Sequence, residues 1–195
     1  MKTLLGGVVG MDEDRMERAL EESNAVSSAS LSELELKLQL LENTCYEGQQ
    51  LWKVDNVAFR INQAVTGKVI AVHSAPCFQK RGGYKFCTRL YLNGDGMGKG
   101  THISLFFVLM KSEYDAVLRW PFSDRVTFRL LNPQNLDDES MTKSFIPDKN
   151  SSSFKRPAKD MNIASGCPMF IKKDLLASYI VDDAIYIETK ISSMS

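Results

Sequence analysis

Cysteine is sparse in this chain. Its four thiols, Cys45, Cys77, Cys87 and Cys167, form no Cys-x-x-Cys pair, and the two histidines, His73 and His102, supply no zinc-ligand spacing. Free thiols in a reducing compartment are therefore expected, with no metal site. Net charge is missing as well: 24 basic residues balance 24 acidic ones. A balanced surface excludes a nucleic-acid binder that depends on many phosphate contacts, so any partner is chosen locally. No apolar run approaches the ~20 residues of a membrane span, so no direct membrane insertion is expected. The opening residues 1–10 mimic a secretory leader, yet glycines break their apolar run. They pass straight into Asp12, Glu13 and Asp14 without a small-residue cleavage site, so they read as a flexible tail rather than a signal.

Two ligand motifs are absent despite a tempting loop, Asn93-Gly94-Asp95-Gly96-Met97-Gly98-Lys99-Gly100. A phosphate-binding Walker motif would need glycine at 93, an alcohol at 100 and a helix after it; the sequence has Asn93 and Gly100, and a strand pattern follows. Calcium coordination fails because Asp95 is the loop's one carboxylate. Catalysis by a thiol or alcohol needs a base within reach. His73 and His102 each sit in an apolar strand context, so no catalytic residue and no cofactor is assigned.

The 195 residues, 44% hydrophobic and 25% charged, suffice for one well-buried domain with an appendage. Residues 11–23 are charged and helix-favouring, and Ser27-Ser28-Ala29-Ser30 is expected to interrupt. Leu31, Leu34, Leu38 and Leu41 then recur at heptad spacing. With Leu31 at an a position, Lys37 falls at g and Glu42 at the following e, where they can pair between parallel helices. The seam spans under two heptads, with Leu36 and Leu40 outside it. Periodicity alone fits a coiled coil and a short helix docked on its own domain equally well. The helical segment is assigned to 11–45.

From residue 46 onward the pattern changes to short apolar runs cut by Gly, Pro, Asn and Ser. Strands are predicted at 51–54, 69–73, 84–92, 102–110, 125–131 and 184–190, with a helical turn in 112–118 and a turn at 165–168; such spacing predicts a mainly β, antiparallel sandwich. The strands at 84–92 and 102–110 form one hairpin around the glycine loop. Phe86, Leu90 and Leu92 share one face, with Cys87, Arg89 and Tyr91 on the other. In the second strand Ile103, Leu105, Phe107 and Leu109 face away from Phe106, and both faces are largely apolar. Phe106 is therefore either core or a groove floor beside Arg89 and Tyr91. Ser151, Ser152 and Ser153 form by default a solvated loop, though three hydroxyls can converge on one polar group.

Several motifs together resemble the C-terminal domain of the tumour-necrosis-factor-receptor-associated factors, the TRAF family, within the wider MATH-domain group. They are Tyr91-Leu92-Asn93-Gly94-Asp95-Gly96, Gly100-Thr101-His102, Ser104-Leu105-Phe106-Phe107, Trp120-Pro121-Phe122, Ser151-Ser152-Ser153-Phe154, the stretch from Met161 to Pro168, and Asp182-Asp183. The match covers residues 46–191, and the leucine repeat stands where the family ends its trimerising coiled coil. Cys77-Phe78-Gln79-Lys80, Gly82-Gly83 and Asn132-Pro133 depart from the family pattern.

The resemblance implies an eight-stranded antiparallel β-sandwich preceded by a coiled-coil helix and a homotrimer joined through Leu31, Leu34, Leu38 and Leu41. It implies no enzymatic activity in this domain. The partners it implies are short Gln- or Glu-containing motifs in receptor cytoplasmic tails, signalling adaptors and related TRAF proteins. Arg89 and Tyr91 would engage an acidic side chain, and Ser151, Ser152 and Ser153 a central Gln or Glu. Phe106 and Phe145 would line an apolar subsite flanked by Ser165 and Gly166, with Asp95 at the border. The implied setting is the cytoplasm, at clustered receptor tails, in NF-kappaB and JNK, survival and immune signalling. Full-length relatives begin with a RING and zinc fingers whose Cys/His spacing is missing from these residues, so a RING-less regulatory form is one expectation. The alternative is a monomeric MATH module that presents substrates to a ubiquitin ligase or deubiquitinase.

Overall fold

The computed structural model describes residues 15–16, 18–22, 24–34, 47–135 and 140–193, in a chain that divides into two compact units, Met1–Glu42 and Asn43–Ser195. In the first unit the described residues are helical, and the helix runs through 24–34 without the expected break at the serines. The Ser30 hydroxyl donates to the Val26 carbonyl at 2.9 Å, so a serine that otherwise competes with the helix backbone is satisfied within it. Leu31 and Leu34 are exposed on this helix, whereas Leu38 and Leu41 lie outside the described residues. Among the described residues no helix is long and apolar enough to cross a membrane.

The second unit is built from two antiparallel sheets. In chain order its strands are β1 (Gln49–Asp55), β2 (Val72–His73), β3 (Cys77–Phe78), β4 (Lys85–Tyr91), β5 (His102–Met110), β6 (Arg125–Leu131), β7 (Met141–Phe145), β8 (Ser165–Lys172) and β9 (Ala184–Ser192). One sheet runs β1-β9-β6-β7. The other runs β2-β4-β5-β8, with β3 also pairing to β4. Among the described residues nine strands reduce to the expected eight because β2 and β3 share one edge of β4, at Leu90/Arg89 and Phe86/Lys85 respectively. Ser74-Ala75-Pro76 interrupts that edge. Proline brings no N–H to a ladder, and the Ser74 hydroxyl accepts from the Thr88 N–H at 2.9 Å in place of a strand neighbour.

The hairpin of β4 and β5 pairs as alternation predicts, with Leu90 opposite Leu105 and Arg89 opposite Phe106. Its inner face supplies Phe86, Leu90, Ile103, Leu105, Phe107 and Leu109, each at most 1% exposed. Phe86 packs on Phe107 and Phe107 on Phe122, with centroids 5.1 and 5.4 Å apart, and Phe128 and Phe170 complete the ring layer between the sheets. Each such ring contributes about 1.5–3 kcal/mol by leaving water. Ser104 and Val108, on the opposite face, are also buried, so β5 is covered on both sides over part of its length.

Other features of this unit differ from expectation. A helix, α1 (Val57–Val65), follows β1, and the predicted strand at 69–73 shrinks to two residues because the amides of Lys68 and Val69 turn back to the Gln63 carbonyl. Strands β3 and β7 emerge from stretches too polar or short to show alternation. Ser165-Gly166-Cys167-Pro168, read as a turn, instead opens β8. Ser165, Gly166 and Cys167 stand opposite Phe107, Phe106 and Leu105, so the partner strand overrides the local turn chemistry. The expected helical turn appears as a single 3-10 turn at Asp115–Val117.

Candidate functional site

Register on the outer face of the five-stranded sheet places His73, Arg89, Phe106 and Gly166 in one row across β2, β4, β5 and β8. One position along, Tyr91 stands opposite Ser104. The Tyr91 and Phe106 rings meet edge to face with centroids 5.5 Å apart, and an Arg89 Nη1 lies 3.5 Å from the Tyr91 hydroxyl. The Arg89 Nε–H donates to His73 Nε2 at 2.6 Å. Burial pushes the His73 pKa below its ordinary value and the Arg89 charge adds to the effect, which keeps the accepting lone pair available.

Gly166 is required by proximity. A Cβ there would meet the Leu105 carbonyl oxygen at 2.5 Å and the Phe106 Cα at 2.9 Å, so the missing side chain lets β8 close on β5 beside the Phe106 ring. Beyond Cys167 the β5–β8 register shifts, and the carbonyls of the irregular segment are caught individually. The Ser104 hydroxyl donates to Pro168 and the Lys143 ammonium, from β7, donates to Met169. The same Ser104 oxygen accepts from the Asp95 N–H at 2.9 Å, which fixes the exposed Asp95 next to Tyr91's row. Gly98 lies against the Pro168 carbonyl, where a Cβ would come within 1.9 Å. The glycine loop thus serves as packing under β8. β8 ends its sheet order and β7 ends the other.

Ser152–Phe154 forms one 3-10 turn capped by Ser151, whose Oγ accepts from the Ser153 N–H at 3.2 Å. Ser152 is exposed, Ser151 half-buried and Ser153 buried. Phe154 anchors the turn in the core, and its carbonyl accepts from the Phe122 N–H at 2.8 Å. Phe145 packs at the rim of that core against Phe154 and Phe128, with centroids 6.1 Å away in both cases. The turn is tied to the strand hairpin through Asn162, which bonds Ser153 and Lys155 by its side chain while its own N–H donates to the Leu109 carbonyl at 2.9 Å.

The sequence-predicted residues thus fall into two groups. Arg89, Tyr91, Phe106 and Gly166 are contiguous, with Asp95 and Ser165 at their margins. Ser151, Ser152, Ser153 and Phe145 form a second group around Phe154. His73, Ser104, Lys143 and Asn162 hold these groups in place, and residue type alone did not single them out. His73 could have been found by aligning an edge strand with Arg89, but β2 is only two residues long. Among the described residues no cluster of His, Cys, Asp and Glu could hold a metal ion. Two thiols near the row are unsuited to nucleophilic work. Burial pushes Cys87 up to about 11, against the opposing pull of Arg89 and Lys85, and also raises Cys167.

The arrangement offers a guanidinium, a phenol, a half-buried aromatic floor and an open strand edge. These can hold an extended chain carrying an acidic or amide side chain. Residues 69–188 match the family described as TRAF/meprin, MATH domain. Over 187 residues the chain is 44% identical to human TNF receptor-associated factor 2, covering 91% of this chain and 37% of that protein. It is 43% identical to human TNF receptor-associated factor 5, covering 85% and 30%, and 43% identical to mouse TNF receptor-associated factor 1, covering 87% and 42%. It therefore spans less than half the length of these relatives. A solved structure of TRAF5 from Notothenia coriiceps superposes with a TM-score of 0.86 at 32% identity, covering 98% of this chain and 95% of that one.

Proposed function

Because this chain belongs to the TRAF/meprin MATH-domain family, and within it to the TNF receptor-associated factors, we propose that it is a non-enzymatic adaptor. Its ligands are short Gln- or Glu-containing motifs in the cytoplasmic tails of TNF-receptor-type receptors and in their adaptors. The observation that carries this reading is the row Arg89, Phe106 and Gly166 with Tyr91 beside it, ending on the open edge of β8. An extended peptide can add along such an edge, with backbone bonds giving affinity and alternate side chains giving choice. Arg89 and Tyr91 take an acidic side chain, Ser151, Ser152 and Ser153 the central Gln or Glu, and Phe106 and Phe145 an apolar one. Ser165, Gly166 and Asp95 border them.

A shallow site of this kind binds one peptide weakly, because the entropy of association offsets a small contact. The exposed Leu31 and Leu34 support assembly of the helical segment into a parallel trimer, continued by Leu38 and Leu41. Three linked sites raise avidity by ~10² to 10⁴ where the geometry allows, so clustered tails are selected over single ones. The setting is the cytoplasmic side of clustered receptors, upstream of NF-kappaB and JNK signalling.

The test is calorimetry of receptor-tail peptides against the wild-type chain, Tyr91→Ala and the triple alanine of Ser151, Ser152 and Ser153, paired with sedimentation. Weaker binding by both folded variants and a trimer support the proposal. Unchanged affinity in both removes the groove assignment. A concentration-independent monomer favours the substrate-presenting MATH module instead.

A further inference from the structure

The contact between His73 and Arg89 constrains how the guanidinium can be used. Arginine offers carboxylates a fork of planar N–H donors, either end-on through Nη1 and Nη2 or from the side through Nε and one Nη. Here Nε is engaged by His73 Nε2 at 2.6 Å, and β2 pairs His73 directly opposite Arg89. Nη1 is steered toward the Tyr91 hydroxyl at 3.5 Å. The side-on approach is thereby closed, which leaves the end-on pair for a ligand.

We propose that His73 is a positioning residue that sets ligand specificity: its neutral imidazole holds Arg89 so that Nη1 and Nη2 present to the carboxylate of an extended peptide. This rests on the peptide-binding reading above and assigns a residue to it that lies outside the predicted site. The neutral state is supported by burial and by Arg89, which both lower the His73 pKa, so near pH 7 the imidazole accepts rather than donates. Arg89, on the facing strand, is the charged group that acts on it. Unconstrained, a long arginine side chain would have to be ordered by each ligand anew, and the preference for a charged over a neutral isostere would fall.

The experiment uses two peptides that differ only by Glu or Gln at the ligand residue whose preference disappears in Arg89→Ala. Both are titrated calorimetrically near neutral pH against the wild-type chain, His73→Phe and His73→Gln. His73 lies on a two-residue strand at the edge of its sheet, so these variants are expected to fold, and thermal melts confirm it. His73→Phe keeps a flat ring but removes the acceptor, and is expected to lower the Glu-over-Gln preference by about tenfold, as loss of one charge-assisted hydrogen bond would. His73→Gln carries an amide oxygen near the position of Nε2 and is expected to restore the preference to within about threefold of wild type. An undiminished preference in His73→Phe overturns the inference while leaving the groove intact. Absence of any effect of Arg89→Ala instead overturns the groove reading beneath it. Independently of any peptide, the Arg89 Nε–H should exchange slowly by NMR in the wild type and in His73→Gln but rapidly in His73→Phe. Rapid exchange in the wild type overturns the contact itself.

Discussion

Asn162 spans the two carbonyls that bracket the end of the serine turn: its Nδ2 donates to Ser153 at 3.0 Å and to Lys155 at 2.7 Å. One amide nitrogen thus spends both hydrogens on a single loop, while the Asn162 N–H anchors to Leu109 of β5. Asn162→Ala should free the turn from the hairpin and destabilise the domain by about 1–3 kcal/mol, the cost of leaving carbonyls unpaired. Peptide affinity should fall with it, although Asn162 need not touch the ligand. Denaturant titration together with calorimetry checks this; a stable variant with wild-type affinity would show that the serine turn holds its position without Asn162.

The two sheets are also joined by a polar contact inside the core. Thr88 of β4 and Thr189 of β9, both at most 1% exposed, place their hydroxyl oxygens 2.7 Å apart, and Gln50 accepts from Thr88 at 3.3 Å and from Ser74 at 2.9 Å. Thr88→Val should cost about 1–3 kcal/mol because it strands the Thr189 hydroxyl. Adding Thr189→Val removes the stranded group, so the double variant should be more stable than the two single losses summed. Chemical denaturation of the four proteins reads the coupling, and strict additivity would mean that the pair contributes no joint stabilisation.

Where one strand carries its own alternation, the fold was legible. Ile103, Leu105, Phe107 and Leu109 announce β5 and its inner face, and the shared face of Arg89 and Tyr91 follows from the same rule. Legibility stops where a distant residue decides the local structure. α1 contains Val57, Phe59, Ile61 and Val65, which favour strands, and its first turn is capped by Asp183, whose carboxylate accepts from the Ala58 N–H at 2.9 Å. Asp183 itself sits at φ 55° in the Asp182-Asp183 turn between Val181 and Ala184. β8 was obscured because Ser-Gly-Cys-Pro is turn chemistry, and only β5 makes a strand of it. At the candidate site, residue types pointed to the groups that can meet a ligand. The contacts of His73 and Asn162 depend on register and loop closure, which no spacing encodes.

The glycine loop permits a comparison between two substitutions a pair of residues apart. At Gly98 a Cβ meets the Pro168 carbonyl oxygen at 1.9 Å, so Gly98→Ala must push β8 outward and should cost at least about 1–3 kcal/mol as an overpacked contact. At Gly96, φ is +53° and a Cβ meets nothing within 4 Å, so Gly96→Ala carries only the left-handed backbone cost of about 1–2 kcal/mol. Peptide affinity should fall in Gly98→Ala and stay at the wild-type value in Gly96→Ala. Equal losses of binding in both would detach the loop from the support of β8.

Cys87 lies between Phe86 and Thr88 on β4, 1% exposed, with its thiol pushed up to about 11 by burial. A raised thiol pKa leaves about one molecule in a thousand as thiolate at pH 8, and only the thiolate attacks an alkylating reagent. Site-resolved mass spectrometry after iodoacetamide treatment should therefore find Cys87 unmodified when Cys167, which is half-buried on β8, is already labelled. Between pH 7 and 9.5 the labelling rate at Cys87 should still climb about tenfold per pH unit, because its titration lies above that range. A rate that levels off near pH 9 would place the thiol at its ordinary value and make Cys87 open to oxidants at the sheet face that carries Arg89.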